Sequence, residues 1–384
     1  MQIPFMQIGD LHIATPFKSL PSFIARQRRQ DIIDTLKAVL KMAEDQHIPL
    51  LFITGDLFEN EYITRPVIAD ISRSFAGVAG TRIFISPGNH DYVHSRSFYI
   101  NWPWPPNVHI FTTPSIERID LPDMPISVYG FGWDRPEIYD NCIDVGPTDT
   151  SRINVAVIHG DALMQSSSSP YLPIAIQQMI GWHMDYVALG HIHRPYAFHA
   201  SGHIQPLDAT GSITDVLAAY AGSIEPLDSS ETGYHGIISG RLDKNAACIE
   251  LIPIAKRRYI NATISLDGAQ TSEDVAKRIL DSDSPQNRSF NLYTLTFTGR
   301  LDPQLKQSMA DIIDDLKEQY FSISVVDQTV PDYDLEYIKE QHRDDIIGRF
   351  IEYMEDALNT AAGDQQQVLR HALYMGLQAL LQDP

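Results

Sequence analysis

The sequence predicts an α/β protein that carries an additional small α+β domain and C-terminal helices. Two observations support this prediction. Through the first half of the 384 residues, apolar runs alternate with amphipathic stretches, which is the pattern of strands connected by helices. After residue 255 the composition shifts and a shorter alternation begins. Because domains are typically about 100–200 residues long, we expect two domains and an appended segment.

The first half is expected to contain six strands and at least two helices. The helix after the first strand is indicated by Ile32, Leu36 and Leu40, which recur at four-residue steps and share one face. Beyond Ala218 the chain reads as antiparallel strands. The six expected strands are Ile3 to Ile8, Leu50 to Thr54, Arg82 to Ser86, Ile126 to Gly130, Ile153 to Ile158 and Tyr186 to Leu189.

We place the first domain at residues 1–255, the small α+β domain at residues 256–330 and a helical segment at residues 331–384. The basic run Lys256, Arg257, Arg258 marks the first boundary. In the small domain we expect one continuous helix from Pro303 to Tyr320. The last segment contains amphipathic helices around Ile346 to Leu358 and Gln365 to Leu381. Helices with an apolar face usually dock on something.

Composition excludes several classes of protein. No stretch approaches the length of a membrane span, and the start lacks the features of a signal peptide, so we expect a cytoplasmic protein. Cys142 and Cys248 are too few for a disulfide framework. The net charge of -20 counts mildly against a nucleic-acid partner. A local basic cluster on the first helix, Arg26, Arg28 and Arg29, could still contact DNA. Solvated surface charges explain this cluster equally well.

Each of five predicted strands is followed at once by side chains that can bind a metal ion. Any one such motif alone is more often a turn or a helix cap. Side chains at the carboxyl ends of neighbouring strands converge on one crevice, so five motifs in order predict one site. The candidate metal ligands are Asp10, His12, Asp56, Asn89, His159, His191 and His193.

The chemistry of these ligands restricts the metal. Carboxylate oxygen, amide oxygen and imidazole nitrogen together suit Mn²⁺, Fe²⁺ or Zn²⁺ better than Mg²⁺ or Ca²⁺, which prefer oxygen ligands alone. No thiolate takes part, which argues against a structural zinc site. His159 has the weakest motif, and His183 is its rival; we interpret His183 as a residue of a helix surface or of the core.

The five motifs resemble the signature of the calcineurin-like metallophosphoesterases. In this chain they read GDLHIATPF, ITGDLF, SPGNHD, VIHGD and LGHIHRP. The order of the motifs, the later AGSIEPLD and the C-terminal arrangement are most similar to the DNA-repair nuclease branch, of the SbcD type, YhaO-like, and related to the meiotic recombination eleven nuclease. The resemblance implies a β-sandwich flanked by helices, with the small α+β domain capping the site.

The resemblance also implies roles for the residues. One metal would be held by Asp10, His12, Asp56 and His193, and the other by Asp56, Asn89, His159 and His191, with Asp56 bridging. His90 would donate a proton or hydrogen bond to the phosphate or leaving oxygen, and Asp91 would orient His90. One position departs from several relatives, which carry a catalytic histidine where this chain has Glu59.

Three functions compete at this point. The leading one is a Mn²⁺-dependent DNA exonuclease or endonuclease subunit of an SbcCD-like repair complex. In that complex the chain would form a homodimer and bind an SbcC-like coiled-coil ATPase. The second is a metallophosphoesterase acting on a small phosphodiester, a cyclic nucleotide or a phosphoprotein. The third is an inactive scaffold with a retained fold. The ATPase would dock on an apolar face of the C-terminal helices that consists of Ile346, Ile347, Phe350, Ile351 and Met354. The alternative is that this face packs onto the chain's own body.

Overall fold

The computed structural model describes residues 2–140, 143–147, 149–163, 169–244 and 246–381. Cys142 therefore lies outside the described residues, whereas Cys248 lies in a strand and is partly exposed. The chain divides into two compact units, Met1–Tyr259 and Ile260–Pro384, here called unit 1 and unit 2. No helix among the described residues is long and apolar enough to cross a membrane.

Unit 1 is built on two sheets. The first has six strands in the order β13-β12-β1-β2-β3-β4, and the second has seven in the order β10-β9-β11-β8-β7-β6-β5. The strands are β1 (Ile3–Ile8), β2 (Leu50–Ile53), β3 (Arg82–Ile85), β4 (Val108–Ile110), β5 (Glu117–Asp120), β6 (Ile126–Gly130), β7 (Ile153–His159), β8 (Tyr186–Gly190), β9 (Tyr196–His199), β10 (Ile204–Pro206), β11 (Val216–Tyr220), β12 (Gly236–Asp243) and β13 (Ala246–Pro253).

Each sheet of unit 1 has a parallel centre. In the first sheet β1, β2, β3 and β4 run parallel, and the antiparallel pair β12 and β13 extends the sheet beyond β1. In the second sheet β6, β7, β8 and β11 run parallel. The parallel strands of each sheet therefore end at one common edge, where the motif residues follow them.

The two sheets pack face to face. Phe5 and Phe52 of the first sheet share one buried cluster with Val155 and Val157 of the second. The outer face of the first sheet packs on helices, and that of the second packs on the helix Ile176–Gly181 and on loops. This double covering explains why the parallel strands read as continuous apolar runs. The predicted α/β sandwich flanked by helices is confirmed. The helices of unit 1 are α1 (Ser22–Asp45), α2 (Arg65–Gly77), α3 (Phe98–Asn101) and α4 (Ile176–Gly181).

Unit 2 combines a three-stranded sheet with helices. The sheet has the order β14-β15-β17 and shares a core with α5 and α8, and a two-stranded sheet joins β16 to β18. The strands are β14 (Tyr259–Ser265), β15 (Leu292–Thr298), β16 (Arg300–Leu301), β17 (Ser322–Asp327) and β18 (Val330–Pro331). The helices are α5 (Ser272–Leu280), α6 (Pro285–Phe290), α7 (Pro303–Gln307), α8 (Met309–Leu316), α9 (Leu335–Gln341), α10 (Ile346–Thr360) and α11 (Asp364–Leu381), with a 3-10 turn at Lys317–Gln319.

Two details of unit 2 differ from the expectations. The helix expected from Pro303 to Tyr320 is interrupted at Ser308, whose ψ of -2° belongs to a helix end. The expected docking face on α10 is largely covered, because Ile351 and its neighbours pack against Leu373 and Leu377 of α11. Packing on the chain's own body, the alternative named for this face, therefore applies to the buried residues Ile347, Ile351 and Met354.

The basic cluster on α1 also differs from the expectation for Arg28. This guanidinium is fully buried and forms ion pairs with Asp31 at 3.0 Å and with Glu225 at 2.9 Å. A side chain with no exposed surface cannot contact DNA, so the predicted role of Arg28 is wrong. Arg26 is exposed, and Arg29 is partly buried and donates to the carbonyl oxygen of Pro16.

Candidate metal centre

The turns that follow the parallel strands bring the motif residues together. Asp10, His12, Asp56 and His191 all have positive φ, between 47° and 108°, which is rare for residues with side chains and marks tight functional turns. The glycines beside them permit close approach. A Cβ on Gly55 would lie 2.3 Å from Nδ1 of His159, and a Cβ on Gly88 would lie 2.3 Å from Oδ1 of Asp56.

One group of potential ligands comprises Asp10, His12 and His193, whose ligand atoms lie within 4.8 Å of one another. Nε2 of His12 lies 3.2 Å from Nε2 of His193. Asp10 is oriented by the backbone, because its two carboxylate oxygens accept from the N–H of His191 at 2.9 and 3.2 Å.

A second group comprises Asp10, Asp56 and His159. Oδ2 of Asp56 lies 3.5 Å from Nε2 of His159 and 3.5 Å from Nε2 of His12. Asp56 therefore also reaches His12 of the first group, and these two residues form a third group with His90. Oδ1 of Asn89 lies 2.9 Å from Nε2 of His159. The ring of His191 lies beside that of His159, with centroids 5.3 Å apart. All seven predicted ligands are thus neighbours.

The tautomers of three histidines leave lone pairs facing one another. Nδ1 of His12 faces Glu59 at 2.8 Å, Nδ1 of His193 faces Glu231 at 2.7 Å, and Nδ1 of His159 faces the carbonyl oxygen of Thr54 at 2.9 Å. These partners only accept, so each Nδ1 carries the proton and each Nε2 presents a lone pair to the cluster. Two lone pairs 3.2 Å apart repel unless a cation or a proton lies between them. The donor set therefore fits metal ions.

The pKa values show what the metal-free cluster holds instead. Burial lowers the pKa of His193, but the hydrogen bond to Glu231 and the charge of Asp10 outweigh it and raise the pKa to about 9. Burial and the neighbouring His159 lower the pKa of His191 to about 3, so this imidazole is neutral. A metal ion must therefore displace a proton from His193, and its binding depends on pH.

His90 lies beside the ligands, and its partner is not the expected one. Nδ1 of His90 faces Oε2 of Glu59 at 2.9 Å. Asp91 is fully buried and uses its two oxygens to accept from the N–H of Leu57, the N–H of Gly88 and the hydroxyl of Tyr99, each at 2.6 Å. The expectation that Asp91 orients His90 is wrong, because these bonds fix the two motif loops to each other instead.

Comparison with known proteins identifies the family. The family model described as calcineurin-like phosphoesterase matches residues 3–195, half of the chain, and this segment includes all seven clustered ligands. The chain belongs to the calcineurin-like phosphoesterases. Members of this family are hydrolases that use divalent metal ions, in agreement with the converging lone pairs.

Individual relatives of this calcineurin-like phosphoesterase are distant. It is 25% identical over 201 residues to the uncharacterized metallophosphoesterase YhaO of Bacillus subtilis strain 168, a match that covers 50% of this chain and 49% of the relative. The chain thus spans about half the length of that relative.

Two solved structures show low similarity. A purple acid phosphatase from yellow lupin seeds has 11% identity and a TM-score of 0.37, covering 63% of this chain and 49% of its own. A glutamine-dependent NAD(+) synthetase from Cytophaga hutchinsonii has 9% identity and a TM-score of 0.28, covering 96% and 73%. At these scores neither similarity bears on the fold or the activity.

Several residues of this phosphoesterase site escaped the motifs. Glu231 orients His193, yet it follows that histidine by 38 positions and belongs to no motif, so no spacing could have indicated it. Tyr171 packs on the ring of His191, with centroids 4.6 Å apart. The rival histidine, His183, is exposed just beyond α4 and belongs to none of the described ligand groups.

Proposed function

We propose that the protein is a two-metal-dependent phosphodiesterase and that its substrate is DNA. The observation that carries this is the central position of Asp56, 3.5 Å from both His12 and His159. Asp56 has an unusually low pKa; burial opposes this, but the electrostatic interactions with the rings of His159, His12 and His90 and the hydrogen bond from the N–H of His90 outweigh it and keep the carboxylate ionised. Asp10, His12, His193 and Asp56 would hold one ion, and Asp56, Asn89, His159 and His191 the other.

Divalent ions in such a site supply Lewis-acid activation of water and neutralise charge on the phosphate. His90 supplies the proton. The hydrogen bond to Glu59, opposed by burial and supported by the charge of Asp56, raises the pKa of His90 to about 9, so its Nε2 carries a proton at neutral pH. As water attacks phosphorus and the P–O bond breaks, Nε2 of His90 donates this proton to the leaving oxygen.

The test uses end-labelled duplex and single-stranded DNA with Mn²⁺. We expect cleavage that EDTA abolishes and that His90→Ala slows by about 100-fold to 10,000-fold, the usual worth of acid catalysis. His183→Ala is the matched control, since His183 is exposed and belongs to none of the described ligand groups. DNA left intact by metal-loaded protein contradicts the nuclease assignment, and product lengths give the direction of cleavage.

A small phosphodiester or a phosphoprotein is the second candidate substrate. Two observations favour it: the net charge of -20, and the burial of Arg28, which removes one of three expected DNA contacts. Hydrolysis of a chromogenic diester without any DNA cleavage, at equal Mn²⁺, would select this candidate.

A coiled-coil ATPase partner of the SbcC type is part of the proposal for the C-terminal helices. On α10, Ile346 and Tyr353 are 70% and 72% exposed and lie seven positions apart, hence on one face. We expect Tyr353→Ser to weaken capture of the ATPase, with the exposed Tyr337→Ser on α9 as the control. Equal capture by both variants contradicts this docking face. Sedimentation of the wild-type chain tests the proposed homodimer.

A further inference from the structure

Glu59 occupies a position fixed by the backbone of two motif loops. It follows Asp56 by three residues, and its N–H donates to the carbonyl oxygen of Ile13 at 3.0 Å. Its own carbonyl oxygen accepts from the N–H groups of Tyr62 and Ile63. The loop that carries Glu59 is therefore tied to the loop that carries His12, and the side chain starts from a defined point.

The carboxylate of Glu59 bridges two imidazoles. Oε1 lies 2.8 Å from Nδ1 of His12, and Oε2 lies 2.9 Å from Nδ1 of His90. The two rings meet edge to face, with centroids 4.7 Å apart and an interplanar angle of 82°. The side chain of Glu59 is 15% exposed and uses both carboxylate oxygens in these contacts.

Glu231 shows what an ordinary supporting carboxylate does in the same site. Its Oε1 faces Nδ1 of His193, while its Oε2 accepts from the hydroxyl of Ser223 at 2.7 Å and from the N–H of Leu227 at 3.0 Å. Glu231 thus orients one ligand from the scaffold. Glu59 instead uses its second oxygen, Oε2, to accept from His90, which lies outside the expected ligand set.

We propose that Glu59 is a positioning residue that couples the metal ligand His12 to the proton donor His90. This inference rests on the proposed phosphodiesterase function. Accepting from both Nδ1–H groups fixes the orientation of both rings at once: Nε2 of His12 presents a lone pair to the metal side, and the Nε2–H of a His90 ring protonated on both nitrogens faces the leaving oxygen. A metal ion bound by His12 would therefore also restrain the carboxylate of Glu59, which orients His90.

Substitutions separate the charge of Glu59 from its reach. Gln accepts with one oxygen only, so its amide group would face the second Nδ1–H and free one ring. Asp keeps the charge but is one methylene shorter and cannot span both rings. We therefore expect Glu59→Gln and Glu59→Asp to break the hydrogen bond that orients His90, the one that orients His12, or both. Glu231→Gln should affect the orientation of His193 alone.

The experiment compares two diesters that differ in the leaving group, with Mn²⁺-loaded protein. Thymidine 5′-phosphate p-nitrophenyl ester expels a phenolate that needs no proton, and a thymidine dinucleotide expels an alkoxide that does. We expect Glu59→Gln to slow the dinucleotide by about 100-fold to 10,000-fold, as for loss of an acid. The nitrophenyl ester should slow by less than about 10-fold once Mn²⁺ is saturating, because it still has the charge stabilisation of the site.

Three comparisons make this result specific. The rate of dinucleotide hydrolysis should be no lower in the double variant Glu59→Gln, His90→Ala than in His90→Ala alone, since the two substitutions remove the same function. Glu231→Gln should weaken Mn²⁺ binding by about 10–100-fold, yet slow both diesters equally at saturating metal. The exposed Glu61→Gln, two positions along the chain, should match wild type. Equal slowing of both diesters by Glu59→Gln, or multiplicative losses with His90→Ala, overturns the proposal.

A second measurement decides the case without turnover. In Zn²⁺-loaded protein, nitrogen NMR of the histidine rings should show His12 protonated at Nδ1 alone and His90 protonated at both nitrogens, and Glu59→Gln should change the signals of both rings. A change at neither ring overturns the role of Glu59 even if the enzyme is active. Wild-type protein that hydrolyses neither diester but shows both of these protonation patterns contradicts the phosphodiesterase function and leaves the coupling standing.

Discussion

Unit 1 and unit 2 differ in how they treat charged side chains. Unit 1 buries many of them, including Asp10, Asp56 and Arg28, each with 2% exposure or less. In the described part of unit 2, Arg288 is the charged side chain in the buried class, and its guanidinium donates to the backbone carbonyl oxygens of Leu280 and Asp283. Because an unpaired buried charge is costly, burial on this scale needs either complete pairing or a function.

Within unit 1 the buried charges separate into both kinds. Arg28 is paired twice, and its partner Glu225 also accepts from the hydroxyl of Thr35 and the N–H of Lys256. The metal centre instead leaves Nε2 atoms of His12 and His193 facing each other. The network around Arg28, here called the paired network, holds its opposite charges in ion pairs and supports the fold, although Nε of Arg28 has no hydrogen-bond partner. Lone pairs that face each other are instead completed by something that binds.

The largest expected effect lies at the middle of the metal centre. Asp56→Ala removes the group between His12 and His159, and loss of one charge-stabilising group typically costs about 100-fold to 1,000-fold in rate. We expect at least this loss of diesterase activity and a loss of Mn²⁺ by elemental analysis. Asp161→Ala, a nearby carboxylate outside the ligand groups of the described residues, is the control. Asp56→Ala protein with full metal content would contradict the assignment.

The next effect concerns the paired network around Arg28. Arg28→Ala removes the ion-pair partner of the buried Glu225 and one of the two ion-pair partners of Asp31, which also pairs with Arg257 at 2.7 Å. Breaking a buried pair in this way typically costs about 3–5 kcal/mol of unfolding free energy. All four tryptophans of the chain lie in unit 1, so the urea midpoint by tryptophan fluorescence measures this loss. Arg26→Ala, two positions away and exposed, should leave the midpoint unchanged. An Arg28→Ala protein of wild-type stability with impaired DNA binding would restore the surface role.

A core substitution in unit 2 tests whether that unit is independent of the metal centre. Leu377 is fully buried against α10, and Leu377→Ala should cost about 2–5 kcal/mol. We expect faster deuterium exchange in α10 and α11 at an unchanged tryptophan midpoint and unchanged Mn²⁺ content. The exposed Leu381→Ala on the same helix should have little effect. Loss of metal from Leu377→Ala would show that the two units are coupled.

The sequence predicted the strands and ligands that depend on neighbouring residues, and missed what depends on distant ones. Asp10, Asn89 and His191 were recognisable because each stands directly after an apolar run with a glycine beside it. Arg28 was misread because its partner Glu225 lies 197 positions away. Periodicity showed that α10 has an apolar face, but not that α11 covers it.

The proposed role of Glu59 lies between the features that the sequence predicts and those that it misses. Its position three residues after Asp56 marked it as a departure from relatives, but the sequence gives no distance to His90. Asp91 was the nearer candidate along the chain. The fold turns the Asp91 carboxylate towards Gly88 and Tyr99, and it leaves Nδ1 of His90 to the loop after β2. Adjacency along a tight turn does not determine which way two side chains point.

The smallest expected effect tests a half-exposed ion pair of unit 2 against the buried pairs of unit 1. Burial opposes ionisation of Asp327, but hydrogen bonds from Lys306 and Thr329 outweigh it, so its pKa is lowered. A carboxyl with a lowered pKa in the folded state stabilises the protein above its unfolded pKa of about 3.9, and this contribution disappears as the pH falls through the folded value.

Asp327→Asn should therefore lower the stability of unit 2 at pH 7 by about 0.2–1 kcal/mol, the range of pairs exposed to solvent. The wild type and the variant should converge when the pH falls below the folded-state pKa of Asp327. Urea titrations followed by far-ultraviolet circular dichroism measure this difference, with tryptophan fluorescence as the unaffected reference for unit 1. The more exposed pair of Lys277 and Asp281 is the control, and Asp281→Asn should change nothing. A loss as large as that of Arg28→Ala would mean that unit 2 also relies on desolvated charge.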